Sequence, residues 1–158
     1  MISMKKLKLI FAVLALLIAT ASLAAAQSEQ KFAELGDFKL VNGEVIQDCK
    51  LGYRTFGKLN ADKSNAVLFP TWFGGKSDQL AGNFGKGKMV DDTRFFVIAV
   101  DAIGNGISTS PSNSRKQFGA QFPLFTIRDM VNAEHQLVTQ ALGIKKLRAV
   151  MGISMGGM

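Results

Sequence analysis

A chain of 158 residues, 47% apolar and 20% charged, has the size and composition of one globular domain and excludes a disordered or low-complexity protein. The net charge is +7, but Lys5, Lys6 and Lys8 crowd the start, and without them 16 basic residues face 12 acidic ones, scattered and without an aromatic-interleaved basic stripe, so no nucleic-acid partner is expected. The single cysteine, Cys49, excludes a disulfide within these residues and reads as a small buried hydrophobe.

The first 26 residues read as an export leader. The three lysines form a positive start, and residues 9–23 are apolar apart from Thr20 and Ser22. Ala24, Ala25 and Ala26 then supply small residues for cleavage before Gln27. The competing reading is an uncleaved anchor, since residues 9–26 come close to the roughly 18 residues of a span. The alanine-rich end favours cleavage, and hence a periplasmic or secreted protein with no stable membrane association. Residues 27–158 then form the domain.

Residues 27–34 are polar and predict a flexible start. Residues 38–41 predict a strand, Asn42 and Gly43 a turn, and residues 45–46 and 51–56 a returning strand with apolar residues on alternate positions. Residues 57–65 form a polar loop. Ala66-Val67-Leu68-Phe69 is a short continuous apolar run suited to a buried parallel strand. Residues 76–88 are glycine-rich, a loop with some helical character. Residues 95–100 form a second strongly apolar strand that ends at Asp101, followed by a glycine- and serine-rich loop over 104–114. Residues 126–142 carry apolar side chains at helical spacing, and Gly143 stops the helix. Residues 147–151 predict another buried strand.

That last strand runs into Gly152-Ile153-Ser154-Met155-Gly156-Gly157, which fits G-x-S-x-G. The pattern places a nucleophilic serine on a sharp strand-to-helix bend. The backbone is strained there, and side chains two positions to either side would collide. The Met155 N–H is placed to face a developing oxyanion. Apolar strands alternating with helix or loop predict an α/β sheet, parallel at its centre, with the first hairpin as an antiparallel edge. Ligands of such sheets lie beyond the carboxyl ends of the strands. Three loops fall there, after Phe69, after Asp101 and at Ser154.

Four stretches carry a family resemblance: residues 51–60 with 65–68; Gly104-Asn105-Gly106 with 108–113; Phe122-Pro123 with Thr126-Ile127-Arg128-Asp129-Met130-Val131 through Ile144; and residues 152–158. Together they resemble the N-terminal part of an α/β-hydrolase-fold enzyme, and more narrowly the homoserine O-acetyltransferase family. The resemblance spans residues 38–158 and implies a mostly parallel sheet that stops after the nucleophile strand. It departs in two places. The turn after the third strand is Thr71-Trp72-Phe73-Gly74-Gly75, without the family's usual histidine, and the export leader is foreign to a cytoplasmic acetyl-CoA-dependent step.

The resemblance implies acyl transfer through a covalent serine ester, with Ser154 as nucleophile and the backbone N–H groups of Met155 and Phe73 as the oxyanion hole. The substrate is a small ester or thioester, and no cofactor or metal is required. The only histidine, His135, precedes the serine, whereas in this fold the acid and the histidine follow it. His135 therefore reads as a helix-flank residue, Asp129 as a structural helix residue and Asp101 as a strand-end residue shaping its loop. With acid and base absent, this chain alone is expected to lack serine-dependent turnover. Three readings follow for the intact form: an exported ester hydrolase, slightly favoured; a homoserine O-acetyltransferase; and a non-catalytic protein on the same fold.

Overall fold

Antiparallel pairing along residues 31–56 builds the first part of the sheet in a computed structural model that describes residues 29–158. Strand β1 (Lys31–Lys39) pairs antiparallel with β2 (Val45–Phe56) through the turn at Gly43, whose φ is +90°. Ala33, Phe38, Ile46, Cys49 and Leu51 point into the core while lysines and acids face out. Burial pushes the Cys49 thiol up to about 12, so it packs as an inert apolar group.

The remaining strands are short, and the first two of them are buried on both faces, as a central parallel sheet requires. They are β3 (Ala66–Pro70), β4 (Phe96–Val100) and β5 (Ala149–Val150), and the sheet order is β1-β2-β4-β3-β5. β3 pairs parallel with both β4 and β5. β2 pairs antiparallel with β4 as well as with β1, so antiparallel pairing extends past the predicted hairpin and the sheet is mixed.

Alternate residues of β3 and β4 feed two cores. Ala66, Leu68, Ile98 and Val100 face Ala133, Leu137, Val138 and Ile144. Val67, Phe69, Val97 and Ala99 face Leu80, Phe84 and Val90. Phe84 sits against Phe56 at 4.8 Å and edge-on to Phe69 at 5.3 Å. Fully burying side chains of this size contributes about 1.5–3 kcal/mol each.

Helix α1 (Ile127–Gln136) covers the first core. Its start is fixed by Asp129, whose Oδ2 accepts from the Thr126 N–H at 2.8 Å and hydroxyl at 2.7 Å, a reciprocal cap. Its Oδ1 accepts from the Val41 N–H at 2.7 Å, tying the helix to the β1–β2 turn. Burial raises the Asp129 carboxyl, but the bonds from Thr126 and Val41 outweigh it and leave it below its ordinary value. The structural role expected of Asp129 is thus what the fold gives it.

Three local expectations need correction. The chain is not irregular through residue 34, because β1 already begins at Lys31, where Phe32 and Ala33 pair with Gly52 and Leu51. The predicted helix over 126–142 is α-helical only to Gln136, and Leu137–Ala141 forms a wider π-helical turn, with the Leu142 N–H bonded to the Leu137 carbonyl at 3.0 Å. The strand predicted over 147–151 has only two paired residues and is not buried. Val150 is 61% exposed, because β5 is the sheet edge and no described element covers its outer side. The predicted leader, residues 1–26, lies outside the described residues.

Candidate active site

The carboxyl ends of β3, β4 and β5 lead into the segments that follow Pro70, Val100 and Val150. Parallel pairing brings all three to one end of the sheet, where α/β folds bind ligands.

β5 ends in a bend. Met151 donates to the Leu68 carbonyl at 3.0 Å, Ile153 is extended, and Ser154 adopts φ +55° before a single 3-10 turn, Ser154–Gly157. A left-handed conformation at a serine costs about 1–2 kcal/mol. It persists because the surroundings leave the chain no other path. A methyl on Gly152 would land on the Gly156 carbonyl. One on Gly156 would land on the Pro70 carbonyl and lie 3.0 Å from that of Thr71. The two framing glycines therefore let the bend close on itself and press against the end of β3. Ser154 is exposed, and its side chain makes no hydrogen bond among the described residues.

The 71–75 turn stands beside it. Gly75 N–H donates to the Trp72 carbonyl at 2.9 Å, Gly74 has φ +71°, and the Phe73 side chain is 85% exposed. Met155 is half-buried and lines a cavity of about 570 Å³ with Pro70, Thr71, Ala102, Met130 and Val138. Ser154 and Phe73 are not among the lining residues. The fold thus brings the elbow to the first residues of the turn, with Phe73 farther out on the turn's exposed side.

His135 is exposed on α1 at the same cavity and has no bond to Ser154. Asp101 is fully buried and holds the neighbouring loops, the strand-end role expected of it. Among the described residues, no group of three or more His, Cys, Asp or Glu side chains is placed to hold a metal ion.

Sequence reasoning missed Glu134, although its spacing from Met130 and Val138 sets it on the buried side of α1. It is 7% exposed at the cavity wall, and burial raises its carboxyl from 4.5 to about 7. The folded state therefore holds this proton more tightly than the unfolded chain does. The associated stability is complete below about pH 4.5 and is lost as pH rises through about 7. Glu134→Gln is expected to leave stability at pH 4.5 nearly unchanged and to raise it by about 3 kcal/mol at pH 8.5. Urea unfolding at the two pH values checks this; equal effects at both would contradict it.

The chain belongs to the alpha/beta hydrolase fold family, whose model matches residues 66–158. It is 40% identical to an ethyl acetate hydrolase of Pseudomonas veronii, over 77% of this chain and 36% of that protein. It is also 40% identical to a homoserine O-acetyltransferase of Chlorobaculum parvum, over 83% of this chain and 39% of that protein. An acetylester hydrolase structure from Corynebacterium glutamicum superimposes with a TM-score of 0.77 at 40% identity, covering 84% of this chain and 39% of that one. The chain thus spans about two fifths of the length of the curated relatives it matches. Both parts of the predicted resemblance, to the hydrolase fold and to the homoserine O-acetyltransferases, are borne out.

Proposed function

We propose that this chain carries the nucleophile end of a serine enzyme that transfers small acyl groups, acetyl above all, from ester substrates to water. Ser154 Oγ attacks the ester carbonyl carbon. The N–H groups of Met155 and Phe73 hold the resulting oxyanion, the alcohol leaves, and water then cleaves the serine ester. The proton of Ser154 passes to a general base, which in this fold follows the serine in sequence. His135 precedes it and takes no part. The observation that carries the reading is the left-handed φ of +55° at Ser154, framed by Gly152 and Gly156 at the end of β5.

Water as acceptor is supported by the ester-hydrolysing relatives and by the leader-like residues 1–26, which fit an exported protein with no supply of acetyl-CoA. Transfer to an alcohol such as homoserine is the second reading, supported by the equally similar acetyltransferase and by the Arg128-Asp129-Met130-Val131 helix start.

The test uses a form of the protein matching the relatives in length, given either ethyl acetate or acetyl-CoA with homoserine. Acetate release from the ester is expected to dominate. Preferential formation of O-acetylhomoserine would establish the second reading, and turnover of neither substrate pair would favour a non-catalytic role. The 158-residue chain by itself is expected to resist labelling of Ser154 by a fluorophosphonate probe.

A further inference from the structure

Asp101 collects four donors on two oxygens at the carboxyl end of β4, and its side chain is fully buried. Oδ1 accepts from the Ser77 N–H at 2.8 Å and from Asn105 Nδ2 at 3.0 Å. Oδ2 accepts from Ser77 Oγ at 2.7 Å and from Gln30 Nε2 at 3.0 Å. Asn105 Nδ2 also donates to the Gly75 carbonyl at 2.9 Å. The far end of the 71–77 segment is thereby fastened to β4 and its loop.

The near end is fastened to the same strand. The Thr71 N–H donates to the Val100 carbonyl at 3.0 Å, and Thr71 Oγ1 accepts from the Ala102 N–H at 3.1 Å. Between the two clamps lie Trp72, Phe73 and Gly74. Phe73 is 85% exposed and Gly74 has no side chain, so packing fixes neither. The Phe73 N–H is placed by the two clamps together with Trp72, which packs against the second core and accepts from the Gly75 N–H at 2.9 Å.

We infer that Asp101 is a positioning residue for the oxyanion turn, holding residues 72–74 in place through Ser77 and through Asn105 to Gly75. The inference rests on the reading that makes the Phe73 N–H an oxyanion donor. A carboxylate accepts all four without rearrangement. An amide would either set its N–H₂ against the Ser77 N–H and Asn105 Nδ2, leaving buried donors unmatched, or require Ser77 Oγ and Gln30 to turn and accept.

Trp72 is the only tryptophan in the chain, so its emission and acrylamide quenching report on this turn directly. Asp101→Asn is expected to raise the Trp72 quenching constant at least twofold while far-ultraviolet circular dichroism keeps the sheet signal. Asn105→Ala, which cuts the tie to Gly75, is expected to shift it in the same direction. Asp129→Asn alters an equally buried carboxylate that caps α1 instead, and is expected to leave Trp72 unchanged. In the form with turnover, Asp101→Asn is expected to lower kcat about 100-fold, the order seen on losing one oxyanion donor, with KM within about twofold.

Wild-type quenching in a folded Asp101→Asn protein overturns the inference, as does an equal shift in Asp129→Asn. If Asp101→Asn does not fold, Asn105→Ala decides by the same criterion. Absence of serine-dependent turnover in a wild-type form matching the relatives in length would instead sink the functional reading, and the Trp72 measurements would still decide whether Asp101 holds the turn.

Discussion

Ser154→Gly is expected to make the protein more stable and catalytically dead at once. The left-handed backbone at Ser154 costs a non-glycine residue about 1–2 kcal/mol. Glycine removes that cost but adds about 0.4–1 kcal/mol of unfolded-chain entropy, leaving a net gain between about 0 and 1.6 kcal/mol. Ser154→Ala keeps the strain and gains nothing. Both substitutions remove the hydroxyl proposed as the nucleophile, and in a form with complete catalytic machinery both should reduce ester turnover on the order of 10⁶-fold, the loss typical of removing a catalytic serine. Urea unfolding beside ester hydrolysis separates the two effects. A destabilised Ser154→Gly protein would mean that the hydroxyl is a structural anchor.

Gly156→Ala should fail for the opposite reason, by adding an atom where there is no room. Its methyl would meet the Pro70 carbonyl at the end of β3 and the Thr71 carbonyl just beyond it, backbone groups that cannot rotate away as a flexible side chain can. The bend must therefore move outward. Overpacking of this kind costs about 1–3 kcal/mol. A displacement of about 1 Å at the reacting atom lowers turnover roughly 100-fold. The expected pattern is a modest loss in unfolding free energy with a far larger loss in kcat. Near-wild-type kcat in Gly156→Ala would show that the elbow does not depend on its contact with β3.

The parts of this fold that could be read from sequence are those whose determinants are local. β3 and β4 are unbroken apolar runs, and both are buried on two faces. The Gly152–Ser154–Gly156 spacing encodes its own steric solution, so the bend was readable from a few residues. The hairpin was legible, but the part of β1 before Phe38 escaped because only Ala33 is buried there, and the register slips on either side of Gly36 break the alternation. β5 was read as longer and more buried than it is, because an apolar run announces what a strand could bury rather than what lies against it. The four-donor arrangement at Asp101 was only half legible. The strand-end position was visible, but Gln30 and Ser77 are 71 and 24 residues away in sequence, and only the folded sheet brings them together.

β5 is held to the sheet by its pairing with Val67 and Leu68, flanked by the Arg148 N–H on the Ala66 carbonyl and the Met151 N–H on the Leu68 carbonyl. Its amides should therefore exchange with solvent deuterium sooner than those of β3 and β4, which sit in the middle of the ladder. The bend that carries the proposed nucleophile hangs from a two-residue rung at the rim of the sheet, so anything that zips a further strand onto that rim would also lengthen the time Ser154 spends in the pose proposed for it.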